Sequence, residues 1–339
     1  MNHLSINNTE APARKKKLIV LGMGGTIAGL GGSHLADISY QAACLDIVEL
    51  LKASQFGLPA DVELIAEQLA QIDSKDMSFD LCDRLARRVT YWLTQEEVQG
   101  VVITHGTDTL EESAFFLHLL IPASLQASKP VVFTCAMRPA NALLADGPQN
   151  LKDACCVALW SGACGVLAVM GGTVHDAVHV EKIHSFRMDA FSSGDAGPIA
   201  LVEGPFIRQF RPWPTQIYCV KSFDPAISSQ QSGPWPRVEI ILSYVGAGAG
   251  IVHALIQDGI HGLVVAATGN GSVHFELSAA LLAAQTAGLP VIVVTRCQRG
   301  RVVSDKARAL DDLTYLSAIK ARIALTAQLH YQSDEQAIG

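Results

Sequence analysis

The sequence predicts an α/β fold with two α/β domains: a larger N-terminal open sheet of mostly parallel strands and a smaller C-terminal parallel-sheet domain. Three observations carry this reading. Short apolar runs rich in β-branched residues stand at 18–21, 101–104, 131–134 and 166–170, the pattern of strands buried on both faces. Helical patterns lie between them, at about 42–52, 78–93, 110–120 and 150–160. The alternation then stops at a proline-rich stretch and resumes beyond it. Strands alternating with helices favour a parallel sheet with right-handed crossovers.

Taken in order, residues 1–16 are polar and mixed and are expected to form a loose tail. Two helix starts stand out, Asp76 before Met77 and Asp108-Thr109 before Leu110-Glu111-Glu112, because short oxygen-bearing side chains accept the unpaired N–H groups of a first turn. From about Gly204 to Arg237 come Pro205, Pro212, Pro214, Pro225, Pro234 and Pro236. Proline removes a donor and fixes φ, so this stretch reads as a connection between domains, with a short strand at 216–220. Strands follow at 238–242, 262–266 and 291–295, with helices at 250–258, 275–287 and 316–329. The predicted organisation is therefore a tail (1–16), an N-terminal catalytic domain (17–210), a linker (211–236) and a C-terminal domain (237–339).

Composition excludes several classes. With 49% apolar and 17% charged residues, the chain can bury a sizeable core and is neither fibrous nor disordered. The net charge of −7, with no basic block beyond Arg14-Lys15-Lys16-Lys17, argues against a nucleic-acid partner. The apolar run after that block breaks at Gly22, short of the roughly 7–15 residues of a secretory core. No run approaches the roughly 18 apolar residues of a membrane span, so no membrane association is expected. The eight cysteines include the neighbours Cys155-Cys156 and the apolar-patterned Cys44, Cys82 and Cys164. They read as small buried hydrophobes in a reducing compartment, which makes the expected location cytoplasmic.

Two constellations stand where strands end, the place where open α/β sheets bind ligands. The first is Gly22-Met23-Gly24-Gly25-Thr26-Ile27-Ala28-Gly29. Its glycines allow close approach of a ligand and can leave N–H groups free to donate. A dinucleotide fingerprint fails because Ile27 stands where glycine is needed, and no Gly-Lys-Ser/Thr follows for a phosphate loop. A tight structural turn around a buried Thr26 remains open. The second is Thr104-His105-Gly106-Thr107-Asp108-Thr109-Leu110-Glu111-Glu112, where Asp108 is either a helix cap or a functional carboxylate. His175 and His179 have a zinc-like spacing, but Gly171-Gly172 and the β-branched neighbours argue against a helix there. They are expected to be surface or supporting histidines, and no metal is expected.

Together the motifs resemble the asparaginase/glutaminase family. Gly24 to Gly29 is similar to its first motif and Thr104 to Glu112 to its second. Ile72-Asp73-Ser74-Lys75-Asp76-Met77, Ala136-Met137-Arg138-Pro139, Ala145-Asp146-Gly147-Pro148 with Asn150-Leu151, and Gly269-Asn270-Gly271-Ser272 match in order. The resemblance covers about 17–328 and implies hydrolysis of the side-chain amide of L-asparagine through an acyl-threonine, with no metal or organic cofactor. By that likeness Thr26 is the nucleophile, Tyr40 closes beside it, and Thr107, Asp108 and Lys182 complete the catalytic set. Ser74 would hold the substrate α-carboxylate and Asp108 its α-ammonium, with Gly25, Lys75, Gly106, Thr107 and Ser272 also lining the substrate. The family works as a homotetramer, a dimer of dimers, with sites completed by a neighbouring subunit.

The chemistry is coherent. A threonine hydroxyl needs a base, a lysine serves only when neutral, and burial disfavours its cation. The resemblance leaves open which threonine attacks first, with Thr26 favoured. It also shows departures: Met23 stands where threonine is common, Lys75 where glutamine or glutamate often meets the substrate amine, and Ser272 where asparagine is common. Asp305 is a weak candidate for the acidic residue given by a neighbour. The alternatives are a mixed glutaminase-asparaginase acting also on L-glutamine, and a non-catalytic amino-acid-binding protein of the same fold.

Overall fold

The computed structural model describes residues 15–32, 39–54, 57–214, 233–303 and 315–332. In chain order its strands are β1 (Lys16–Gly24), β2 (Leu30–Gly31), β3 (Tyr40–Gln41), β4 (Val62–Ile72), β5 (Val98–Thr104), β6 (Pro130–Thr134), β7 (Gly165–Met170) and β8 (Thr173–Asp176). They continue as β9 (Glu181–Lys182), β10 (Phe191–Ser192), β11 (Ala200–Glu203), β12 (Phe206–Gln209), β13 (Val238–Leu242), β14 (Gly262–Ala267) and β15 (Val291–Thr295). The helices are α1 (Ile47–Ser54), α2 (Phe79–Leu93), α3 (Leu110–Leu120), α4 (Ala123–Gln126), α5 (Gly147–Ala158), α6 (Gly250–Gln257), α7 (Phe275–Thr286) and α8 (Ala318–Gln332).

Among the described residues, the larger sheet runs β12-β11-β8-β7-β6-β5-β1-β4. The five strands from β4 to β7 pair in parallel, and β8, β11 and β12 extend the edge antiparallel. The smaller sheet, β13-β14-β15, is wholly parallel. Both sheets are as the fold class predicts. The strand order places β1 between β4 and β5, so the crossovers from β1 run to one side and those from β5 to the other. The carboxyl ends of these strands therefore splay a crevice at the switch point. Every residue from Leu18 to Leu21 is fully buried, because helices cover both faces of β1.

The structure corrects several local expectations. Helix α1 begins at Ile47 rather than near residue 42, because Ala43 adopts a left-handed φ of 56° and the N–H groups of Cys44 and Leu45 both donate to Ala28 O. Asp46 and Glu49 then cap the helix reciprocally, each side chain accepting the other's N–H. Asp76 does not start α2: it closes a 3-10 turn at Ser74–Asp76, and Ser78 accepts from Leu81 N as the cap. Lys16, assigned to the tail, already pairs with Val62. The proline-rich stretch begins later than expected, since Gly204 and Pro205 turn the β11–β12 hairpin. The strand expected at 216–220, the rest of that stretch up to 232, and Asp305 lie outside the described residues.

Aromatic packing ties α2 and α3 to the chain just before β13. Trp235 stacks on Phe79 with centroids 5.1 Å apart, meets Phe116 edge-on at 5.6 Å and stacks on His330 of α8 at 4.0 Å. Its indole N–H donates to Asp80 Oδ1. No helix among the described residues is long and apolar enough to cross a membrane. Because Phe116 is almost fully buried in this cluster, Phe116→Ala is expected to cost about 3–5 kcal/mol of unfolding free energy in urea denaturation. A loss below about 1 kcal/mol would mean that the cluster is not a packed core.

Candidate active site

Three strand ends meet at the crevice. After β1 the chain turns through Gly24 and Gly25, with φ values of 95° and 79° that glycine alone adopts freely. A Cβ on Gly25 would overlap Gly106 Cα, and a Cβ on Gly106 would overlap Ser74 Oγ. Gly25, Gly106 and the Ser74 side chain thus pack at the ends of β1, β5 and β4 with no room for a Cβ on either glycine. The Gly25 N–H donates to Ile72 O at 2.9 Å. That donor is committed to holding β1 against β4 and is not free for a ligand.

Thr26 opens a 3-10 turn and is 7% exposed. Its Oγ1 lies 2.9 Å from the hydroxyl of Tyr40, which the β2–β3 pairing brings back over the loop. The half-exposed Tyr40 therefore covers a hydroxyl that is otherwise enclosed.

On the β5 side, Asp108 is not the helix cap. Thr109 occupies that place without a side-chain cap bond, its Oγ1 donating instead to Ser74 O at 2.7 Å. The Asp108 carboxylate turns to Lys182, whose Nζ lies 2.7 Å from Asp108 Oδ1 and 2.8 Å from Thr107 Oγ1. The Lys182 side chain is 17% exposed, whereas that of Asp108 is 54% exposed. The ion pair thus has one enclosed member and one reachable by a ligand. Ser74, 2% exposed, accepts Asp108 N at its Oγ, which leaves its O–H to donate elsewhere.

Lys182 reaches this place on the two-residue strand β9, which pairs with β10 through Phe191. Its own N–H donates to the carboxylate of Glu111, on the first turn of α3. Glu111 was not singled out from the sequence, because an acidic residue in a first helical turn has a sufficient reason to be there. Its burial, 8% exposed, raises its pKa, opposed by the charge of Lys320 and the Lys182 N–H.

The remaining predicted residues fall outside this constellation or at its edge. Lys75 Nζ is held by Asp73 Oδ2 at 2.7 Å and Asp76 Oδ2 at 3.2 Å, on an exposed side chain. Ser272 lies in the turn after β14, exposed, its main chain paired with Thr268. No hydrogen bond among the described residues joins it to Thr26, Ser74, Thr107, Asp108 or Lys182. Met23 is buried in the core under the loop. Asp146 accepts the N–H groups of Met137 and Arg138 and so shapes the turn after β6.

Of the two readings of these histidines, surface or supporting, the surface one fails for His175. It lies on β8, 3% exposed, with Nδ1 2.8 Å from Ser193 Oγ. His179 instead binds Asp176, which also pairs with Arg211. Burial works against the Asp176 charge, but His179 and Arg211 overcome it and hold the carboxyl well below the usual range. No group of three or more potential metal ligands occurs among the described residues.

With this geometry in view, the similarities to known proteins are informative. Residues 17–213 match the family "Asparaginase, N-terminal", and residues 237–339 match "Glutaminase/Asparaginase C-terminal domain". The chain belongs to the asparaginase family. L-asparaginase 2 of Bacillus subtilis is 30% identical over 97% of this chain and 88% of its own length. The glutaminase-asparaginase of Pseudomonas fluorescens is 34% identical over 89% of this chain and 82% of its own. The crystal structure of a probable cytoplasmic L-asparaginase from Campylobacter jejuni superposes with a TM-score of 0.82 at 35% identity, covering 96% of this chain and 98% of that one.

Two outcomes follow for this asparaginase-family chain. Gly25→Ala forces both a backbone overlap and a strained φ, and is expected to cost about 2 kcal/mol or more of unfolding free energy. An unchanged Tm would contradict the close stack. Burial also pushes His105, His118 and His175 down to about 4. Folding lowers these values, so the unfolded chain takes up protons first as the pH falls. Stability present above the ordinary histidine value of about 6.5 is therefore lost progressively toward pH 4, on the order of 3 kcal/mol per histidine. Urea denaturation at a series of pH values checks this, and flat stability between pH 6.5 and 4 would contradict it.

Proposed function

We propose that the chain hydrolyses the side-chain amide of L-asparagine to L-aspartate and ammonia, through an ester on Thr26. The observation that carries this reading is Lys182 Nζ set between Thr107 Oγ1 and Asp108 Oδ1, at 2.8 and 2.7 Å, with the enclosed Thr26 on the adjoining loop, whose Gly25 packs against Gly106. The relatives named L-asparaginase support the substrate. A purely structural glycine turn has no need of a lysine fixed between a hydroxyl and a carboxylate.

In the proposed reaction, the half-exposed Asp108 carboxylate takes the substrate α-ammonium and the Ser74 O–H takes the α-carboxylate. Gly25 and Gly106 line the path without side chains. The charge of Lys75 is offset by Asp73 and Asp76, so it sets no net cation against the substrate. Thr26 Oγ1 attacks the carboxamide carbon, and its proton passes by way of Thr107 to Lys182 as the lysine in turn gives a proton to the departing nitrogen. The C–N bond breaks as that proton reaches the departing nitrogen, which leaves as ammonia. Water then adds to the ester by the same proton path, releasing aspartate and restoring the Thr26 hydroxyl. Tyr40, hydrogen-bonded to Thr26, positions the attacking oxygen and shields it.

Ser272 and the similarity to a glutaminase-asparaginase support a second activity on L-glutamine, measured by the ratio of kcat/KM for the two substrates. We further infer a homotetramer arranged as a dimer of dimers. Among the described residues Ser272 has no bond to the site, and Leu143, Leu144, Val245 and Phe275 expose apolar surface suited to burial against other copies. A cytoplasmic location is supported by the seven described cysteines, all of them free.

Thr26→Ala is expected to fold normally and to lose about a thousandfold or more of ammonia release from asparagine. Turnover near the wild-type rate would overturn the nucleophile assignment. Folded wild-type protein that releases ammonia from neither asparagine nor glutamine would overturn the function.

A further inference from the structure

Behind the crevice lies a lysine that the proposed reaction does not use. Lys320, on α8 in the C-terminal region, is 1% exposed. Its Nζ donates to Val178 O at 2.8 Å and to Val180 O at 2.6 Å, the two alternate residues that lead into β9. Phe115 lies against it, with the ammonium 5.9 Å from the ring centroid. The carboxylate of Glu111 faces both parts of this arrangement: it accepts the main-chain N–H of Lys182, and its charge opposes the effect of burial on Lys320.

Burying an ammonium is costly before its partners compensate it, and an apolar side chain of similar length would fill the same space without that cost. What an apolar side chain lacks is the ability to tie two carbonyls of the segment 178–180. That segment needs tying. Strand β9 has only two residues and one partner strand of equal length, and a ladder so short does not fix a side chain by itself. Resting on the amidohydrolase reading above, we propose that Glu111 and Lys320 are positioning residues for Lys182. Lys320 anchors the approach to β9 through two carbonyls and Glu111 anchors Lys182 through its N–H, so the C-terminal helix sets the place of the proton-relay ammonium.

The consequence is selective. Substrate binding relies on Asp108 and Ser74, which are held by β4, β5 and their turns, while proton transfer relies on the reach of Lys182. A displacement of about 1 Å at a proton-transfer group costs on the order of a hundredfold in rate. Loosening β9 should therefore lower kcat and spare KM.

The test is steady-state ammonia release from L-asparagine by full-length wild type, Lys320→Met, Glu111→Leu and Glu111→Gln, with circular dichroism to confirm folding. Lys320→Met and Glu111→Leu are expected to lower kcat about tenfold or more with KM within about threefold of wild type. Glu111→Gln keeps an oxygen to accept the Lys182 N–H, and is expected to regain about fivefold or more in kcat over Glu111→Leu. If Lys320→Met does not fold, the leucine–glutamine comparison at Glu111 decides. Wild-type kcat in folded Lys320→Met or Glu111→Leu would overturn the inference. So would equal losses in the leucine and glutamine variants with KM rising in step, which mark a general structural role. An inactive wild type would instead bring down the amidohydrolase reading, and this inference with it.

Discussion

The contact on which the site depends is that of Lys182 Nζ with Thr107 Oγ1 and Asp108 Oδ1. It joins two parts of the chain 74 residues apart, one at the end of a central parallel strand and the other on a short antiparallel hairpin. Without it, the Thr107 and Asp108 side chains would be two polar groups at a helix entrance. With it, a hydroxyl and a carboxylate share one ammonium, and the carboxylate keeps a solvent-exposed side. The enclosed lysine gains because its charge is compensated by two fixed partners, while the exposed aspartate remains able to take a second cation.

The fold supplies the second constraint, which is closeness. Strand β1 lies between β4 and β5, and the ends of all three must converge for Thr26, Ser74 and Thr107 to share a crevice. The Gly25–Gly106–Ser74 stack achieves this because the two glycines carry no side chain where the loops and the Ser74 side chain meet. The bond from Gly25 N to Ile72 O locks the stack. The glycines therefore act through packing. The sheet interior is the rigid base: helices cover both faces of β1, and Leu18 to Leu21 are wholly buried.

Much of this architecture was legible because parallel strands buried on both faces are continuous apolar runs. That pattern marks β1, β5, β6, β7 and the three C-terminal strands. It fails for β4, where Val62, Ile65, Ala66 and Leu69 follow helical spacing and Glu63, Glu67 and Gln68 interrupt the run. As an edge strand β4 is only half-buried, so its composition is not forced. It fails again for β8, β11 and β12, which are short and pair antiparallel. In the site, the motifs around Thr26 and Thr107 mark their loops directly. Lys182 became visible only through resemblance, since nothing in Val180-Glu181-Lys182 distinguishes it by pattern. Glu111 looked like an ordinary residue of a first helical turn. Lys320 carried a weak signal, a lone lysine within the apolar pattern of the last helix, and only its burial in the fold gives that meaning.

The most direct test of the account is the kcat of Lys182→Met on saturating L-asparagine, measured on protein shown to be folded. Methionine keeps the length of the side chain and removes the ammonium, so Thr107 loses its proton acceptor and Asp108 its partner. The kcat is expected to fall by about a thousandfold or more. A kcat within about tenfold of wild type would show that proton transfer does not run through Lys182, and the central claim would be wrong.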